Sequence, residues 1–315
     1  MKIVLDLTKL VRDGKLTPAQ AEDLKLLAAR DTGLLAINIL MAFGTIAVAA
    51  GVLFLIPSLP GAAAIALALV AGGLVLSYCA GPQWTILGTA TVVVGTLWLG
   101  GVGISYADGR WPGFAFATAI CLAGTVAIRS SLLSALTALA LAATLGSSTV
   151  YETATYILII REPTLTIVCF GLLAWGTYLI AKQVPADYEP PALMFARISL
   201  ILVNFGFWVG SLWGDDPGKG WLWPEAKAPL HLPDIGFVVA WAVALIAVGA
   251  WAAQANRRFV VNTAAAFFAI DFYTQYFARL GANPLSILLG GLLVIGIAVG
   301  LWRYNAATRP IKAAA

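Results

Sequence analysis

Residues 235–256, IGFVVAWAVALIAVGAWAAQAN, decide the fold: the run carries no charged side chain, and its polar amides wait until Gln254 and Asn256. As a helix rising 1.5 Å per residue it would reach roughly 33 Å, about the hydrocarbon thickness of a bilayer, where only a helix or a closed barrel satisfies its own backbone. Outward from it the same pattern recurs. Ten apolar segments are read, at 34–56, 62–80, 84–104, 113–128, 130–148, 163–181, 192–214, 235–256, 259–280 and 285–302. The segments 113–128 and 130–148 are taken as two, because one helix through both would be about 54 Å long.

The composition agrees. Of 315 residues, 61% are apolar and 11% charged, against roughly 45–50% and about 25% in soluble domains. A soluble enzyme, a secreted disulfide scaffold and a disordered regulator are excluded. Cys79, Cys121 and Cys169 lie within apolar runs and read as small packing residues, and His231 is the single histidine, too few for a bis-imidazole haem or a histidine-rich zinc site. No metal and no cofactor is expected.

Charge assigns the sides. With the N-terminus cytoplasmic, 14 of the 19 Lys and Arg fall on the inner side and 5 on the outer, so the positive-inside rule favours an even number of spans with both termini cytoplasmic. Trp84, Trp111, Trp213, Trp221 and Trp223 sit at segment ends or in loops, as an interfacial aromatic belt does. Gly206, Gly210 and Gly214, and Gly296 with Gly300, have the small-xxx-small spacing that lets helix backbones approach; internal packing is favoured over contact between copies, although a homo-oligomer fits the same spacing. The expected architecture is therefore an all-α polytopic transmembrane bundle over 34–302, preceded by a cytoplasmic amphipathic helix pair at 1–33 and followed by a cytoplasmic tail at 303–315.

Residues 1–33 differ from the rest, holding six basic and five acidic residues without the pattern of a cleaved signal. Val4, Leu7, Leu10 and Val11 have helical spacing, and Gly14 suits a left-handed helix end. In Leu16-Thr17-Pro18-Ala19-Gln20, Thr17 caps a second helix, Pro18 occupies its first position and Gln20 completes a reciprocal capping box. Thr17, Gln20 and Leu24 are the candidate partner-facing residues. Glu22, Asp23 and Asp31 outnumber Lys25 and Arg30 on this helix, so a nucleic-acid role is rejected and docking on the membrane surface, on the cytoplasmic loops or on another protein is preferred.

The turn Gly14-Lys15-Leu16-Thr17-Pro18-Ala19-Gln20-Ala21 leading into the first span, the stretch GTLWLGGVGISY at 95–106, and DFYTQYFARLGANPLSILLGGLLVIGIAVGLWRYN at 271–305 resemble the bacterial membrane proteins grouped as domain of unknown function 2157. The likeness covers the N-terminal third and the last quarter of the chain. It implies a polytopic inner-membrane protein and brings no catalytic motif to any residue.

Within the spans, Asp271 is the acidic residue placed deepest, 13 positions beyond Arg258 and so roughly 20 Å along a helix. A carboxylate there must be neutral, paired or hydrated. Steps of four place Asp271, Gln275 and Arg279 on one face, with Thr274 beside them and Tyr273 and Tyr276 near. This stripe is the candidate intramembrane polar site; its structural reading is an inward-packed Asp271 hydrogen-bonded to Gln275 or a neighbouring helix. Asn38, Asn204 and Asn262 read as interhelical hydrogen-bonding glue, and Arg197 as a side chain that reaches the headgroups. The loop 214–234 holds Asp215, Asp216, Glu225 and His231 without the spacing of a calcium loop, and its Gly214-x-x-x-Gly218-Lys219 lacks the Ser/Thr of a phosphate-binding loop. It reads as an interfacial cap. With no nucleophile–base set and no paired carboxylates, the expected function is a non-catalytic inner-membrane accessory, assembly or sensing component in contact with lipids, the alternative being a transporter of a small or amphiphilic solute built on the Asp271 stripe.

Overall fold

The computed structural model describes residues 58–307 except 82–83, 153–154, 218–230 and 281–283, and before them residues 10, 11, 14, 16–23, 40, 43, 44, 47, 48, 50 and 51. Most of the first expected span, Asn38, Leu24, Trp221, Trp223, Glu225 and the tail beyond 307 lie outside the described residues. Helices dominate: α1 Leu59–Cys79, α2 Thr85–Tyr106, α3 Trp111–Ile128, α4 Ser131–Thr144, α5 Pro163–Ile180, α6 Glu189–Trp213, α7 Asp234–Gln254, α8 Arg258–Leu280 and α9 Pro284–Ala307. Among the described residues seven of these, all but α4 and α8, are both long and apolar enough to cross a membrane. The chain is a helical, multi-pass membrane protein.

Local chemistry sets the helix ends. Ser58 caps α1, its Oγ accepting from Gly61 N at 3.2 Å, and proline opens α3, α5 and α6 within their first turns, where its missing N–H costs nothing. Asp108 and Asn256, at φ of 51° and 56°, end α2 and α7. In each the next amide reaches back five residues, Gly109 N to Ile104 O at 2.9 Å and Arg257 N to Ala252 O at 2.8 Å, the Schellman closure that turns the chain back.

The span expected at 130–148 is corrected. The helix α4 stops at Thr144, 14 residues long, because Gly146 turns with φ of 91° and the chain enters a hairpin, β1 Ser147–Glu152 paired antiparallel with β2 Thr155–Ile160 in the register Ser147↔Ile160. Although α4 is only about 21 Å long, it lies along α3, with the hydroxyls of Thr125 and Thr137 3.5 Å apart and those of Thr118 and Thr144 3.3 Å apart. At its start Arg129 Nη1 donates to Asp187 Oδ2 at 2.8 Å and Ser134 Oγ donates to Pro191 O at 2.6 Å, beside the start of α6. The helix α9 continues to Ala307, beyond the apolar span that ends at Arg303.

The helices pack as a row, each of α1 to α4 on the next, α4 then meeting α6, and α7, α8 and α9 following; α5 lies against α6, the hub. Two cores result. One gathers Ala138, Ala142, Phe170 and Leu202, the other Trp241, Leu245, Ala264 and Phe267. All four cation–π contacts among the described residues lie at the Arg129 end of the bundle: Arg129 over Tyr188, Lys182 and Arg257 over Tyr178, and Arg197 over Phe259. Four of the basic residues that charge counting assigns to the inner side, Arg129, Lys182, Arg197 and Arg257, therefore share one end of the bundle.

In the N-terminal region Gly14 takes φ of 69° with its amide bonded to Val11 O at 3.1 Å. Residues 18–23 are helical, and the capping box closes in both directions, Gln20 N donating to Thr17 Oγ1 at 3.2 Å and Thr17 N to Gln20 Oε1 at 3.0 Å.

Candidate functional site

The stripe on α8 is built by helical spacing. Ala264, Phe267 and Asp271 are buried on the face toward α6 and α7, with Thr274 continuing it, so the carboxyl sits among side chains that exclude water. Asp271 is 5% exposed, and its Oδ1 has no hydrogen-bond partner among the described residues. The bond expected from Gln275 does not reach that oxygen. Gln275 is half-buried. Arg279 lies in the last turn of α8, but its side chain is outside the described residues.

Thr274 has another partner than the stripe suggests. Trp208 Nε1 of α6 donates to Thr274 Oγ1 at 3.2 Å, and one turn earlier on α6 Asn204 Oδ1 accepts from Trp241 Nε1 of α7 at 2.9 Å. Asn204 Nδ2 donates in turn to Leu200 O at 2.8 Å. Asn204 is thus interhelical glue, as its residue type suggested. The two tryptophans were not read as part of the site. Their signal was position: both sit well inside spans, where the interfacial preference of tryptophan does not place them. Around them Phe207 stacks on Trp241 with ring centroids 6.3 Å apart, and Phe205 meets Phe267 edge-on at 5.6 Å. On the other side of α8, Tyr273 and Phe277 pack at 4.3 Å and face Gly290 of α9.

The remaining candidates separate clearly. Asp215 is buried, its Oδ2 accepting from Thr164 N in the first turn of α5 at 2.8 Å, while its backbone pairs with Leu232. It serves as a helix cap delivered from a distant loop. Asp216 pairs with His231 Nδ1 at 2.7 Å on the surface. Among the described residues no group of three or more His, Cys, Asp or Glu is placed to hold a metal ion. The three cysteines are free thiols. At the opposite end, the Arg129 guanidinium is held above its ordinary pKa by its hydrogen bond to Tyr188 and then by the charge of Asp187, so it stays cationic. Of the expected close-packing glycines, Gly206 approaches Pro163 and Ile167 of α5 and Gly210 approaches Phe237 of α7, whereas Gly296 and Gly300 have open space beside them.

Chemically, the arrangement presents one buried carboxyl whose Oδ1 has no partner among the described residues, flanked by indole, amide and hydroxyl groups that bond one another. No protein-family model, curated protein or solved structure matches the chain.

Proposed function

We propose that the chain is a non-catalytic component of a bacterial inner membrane, both termini cytoplasmic, acting as an accessory, assembly or sensing subunit whose residues 1–33 engage a protein partner. Membership among the proteins grouped as domain of unknown function 2157 is part of the proposal. The observation that carries the reading is the use made of buried polar groups. Asn204, Trp208, Trp241 and Thr274 spend their hydrogen bonds joining α6, α7 and α8, and Thr91, Thr118, Thr125 and Thr137 each donate to the carbonyl four residues back. The bonds that join α6, α7 and α8 support a fixed scaffold there. The exposed capping box at Thr17 and Gln20 gives the N-terminal segment a helix start of its own. Deleting residues 2–30 is expected to leave the bundle inserted and to abolish stoichiometric copurification of a partner in mild detergent; loss of insertion would make the segment structural instead.

The unsatisfied Oδ1 of Asp271 favours a second reading, a carrier of a proton or small cationic or amphiphilic solute. Two substitutions separate them. On the scaffold reading Asp271→Asn is nearly silent, while Asp271→Leu changes packing and costs about 1–3 kcal/mol where a buried partner is left unpaired. A stable, inserted Asp271→Asn protein with the phenotype of a full deletion would select the carrier.

A further inference from the structure

We propose that the cleft between α6, α7 and α8 at the Arg129 end holds one anionic phospholipid, an acyl chain lying in the cleft and the phosphate between Arg197, Arg257 and Arg258. The cleft encloses only about 50 Å³ and is otherwise an open groove, so it seats a short stretch of a chain whose remainder lies outside, and its walls are apolar apart from Asn204 and Thr263. Asn204 is already bonded to Trp241, so the lining asks for hydrocarbon. Its long axis follows the helices. On α6, Arg197, Leu200 and Asn204 are three and four residues apart and share a face. On α7 the wall descends from Trp241 to Val248, which is 37% exposed and forms the open edge. There the left-handed Asn256 reverses the chain, so that Arg257 and Arg258 fall at the turn between α7 and α8, three and two residues before Val260 on the wall.

The cations at that end are held by aromatic rings. The Arg197 guanidinium lies 5.1 Å from the ring centre of Phe259 and that of Arg257 lies 5.6 Å from Tyr178, where Lys182 also stacks at 4.5 Å. Aromatic faces orient these cations and leave their charge in place. Among the described residues no carboxylate forms an ion pair with Arg197, Arg257 or Arg258. A basic pocket opening at the membrane surface onto an apolar cleft matches the two parts of an anionic lipid, and each arginine near such a surface contributes about 1 kcal/mol, a factor of about five. This inference needs only the membrane reading and is independent of the choice between scaffold and carrier.

The full-length chain in neutral detergent is titrated with dioleoyl phosphatidylglycerol, dioleoyl phosphatidylcholine or inorganic phosphate, and bound lipid is counted by native mass spectrometry. One phosphatidylglycerol per chain is expected to persist where phosphatidylcholine is lost, with no protection by phosphate alone. Arg257→Gln should weaken retention about fivefold, and Val260→Phe, which fills the cleft and leaves all three arginines, should also weaken it. Arg110→Gln at the far end of the bundle should change nothing. Equal retention of both lipids, equal protection by inorganic phosphate, or unchanged phosphatidylglycerol binding in both Arg257→Gln and Val260→Phe would overturn the proposal. If either of these variants fails to fold, Arg258→Gln is read in its place, and unchanged retention there counts against the site.

Discussion

The two ends of the row of helices are held together by opposite means. Between α1 and α2 the contact is backbone on backbone. A Cβ at Gly73 would lie 2.7 Å from Val92 N and 2.9 Å from Gly88 O, and one at Gly88 would lie 2.9 Å from Gly73 O, so the absence of side chains is the interface. At the far end α9 touches the bundle through aromatic rings, with Phe277 and Tyr273 over Gly290, and keeps Leu285, Leu288, Leu292, Ile295 and Trp302 more than half exposed. The comparison shows that hydrophobicity alone does not choose helix partners in a membrane, since α1 and α9 are comparably apolar and yet differ in how closely they are held. Close approach and hydrogen bonds choose them, because lipid competes for every other contact.

The comparison breaks most sharply at Gly88. Gly88→Leu forces a side chain into the α1 backbone, which cannot swing aside as a side chain would, and a loss of about 3 kcal/mol is expected, at the upper end of overpacking costs. Reversible unfolding in mixed micelles reads it. A cost below about 1 kcal/mol would mean that α1 and α2 slide apart freely, and that glycine contact is not what fixes them. In the middle of the row, Trp241→Phe keeps the ring against Phe207 but removes the N–H that Asn204 accepts. The expected loss is about 1 kcal/mol; the same assay on an Asn204→Leu background should show that loss shrink. The smallest effect is predicted on α9, where Gly296→Leu meets open space and should shift stability by no more than about 0.5 kcal/mol. A large drop would reveal that something covers this helix.

How far the sequence could be read follows from the same physics. Runs such as 235–256 were legible because bilayer thickness imposes a length and the backbone imposes a helix. The glycines of α6 were legible as close-approach sites, but the tighter contact at Gly73 and Gly88 was not, since hydropathy treats glycine as a neutral filler and the pairing lies between two helices. The hairpin was hidden for a related reason. The segment Ser147–Glu152 followed by Thr155–Ile160 is rich in Thr, Val, Tyr and Ile, a strand composition, yet its front edge blended into the preceding apolar run and extended the expected span past Thr144. At Asp271 the sequence supplied the residue and its depth. It did not supply Trp208 and Trp241, because a hydrogen bond across helices depends on rotation about each helix axis, which no local pattern encodes.

The Asp215–Thr164 bond has a consequence in time. Donor and acceptor are 51 residues apart, and a ribosome adding about 5–20 residues per second needs roughly 3–10 s to bridge them. Through that interval the leading turn of α5 has been made without its cap. The cap arrives only after α6 has been threaded and residue 215 has emerged on the same side as Thr164. The Thr164 end of α5 is therefore closed only once α6 has been made, and Asp215 ties the two helices together at that end.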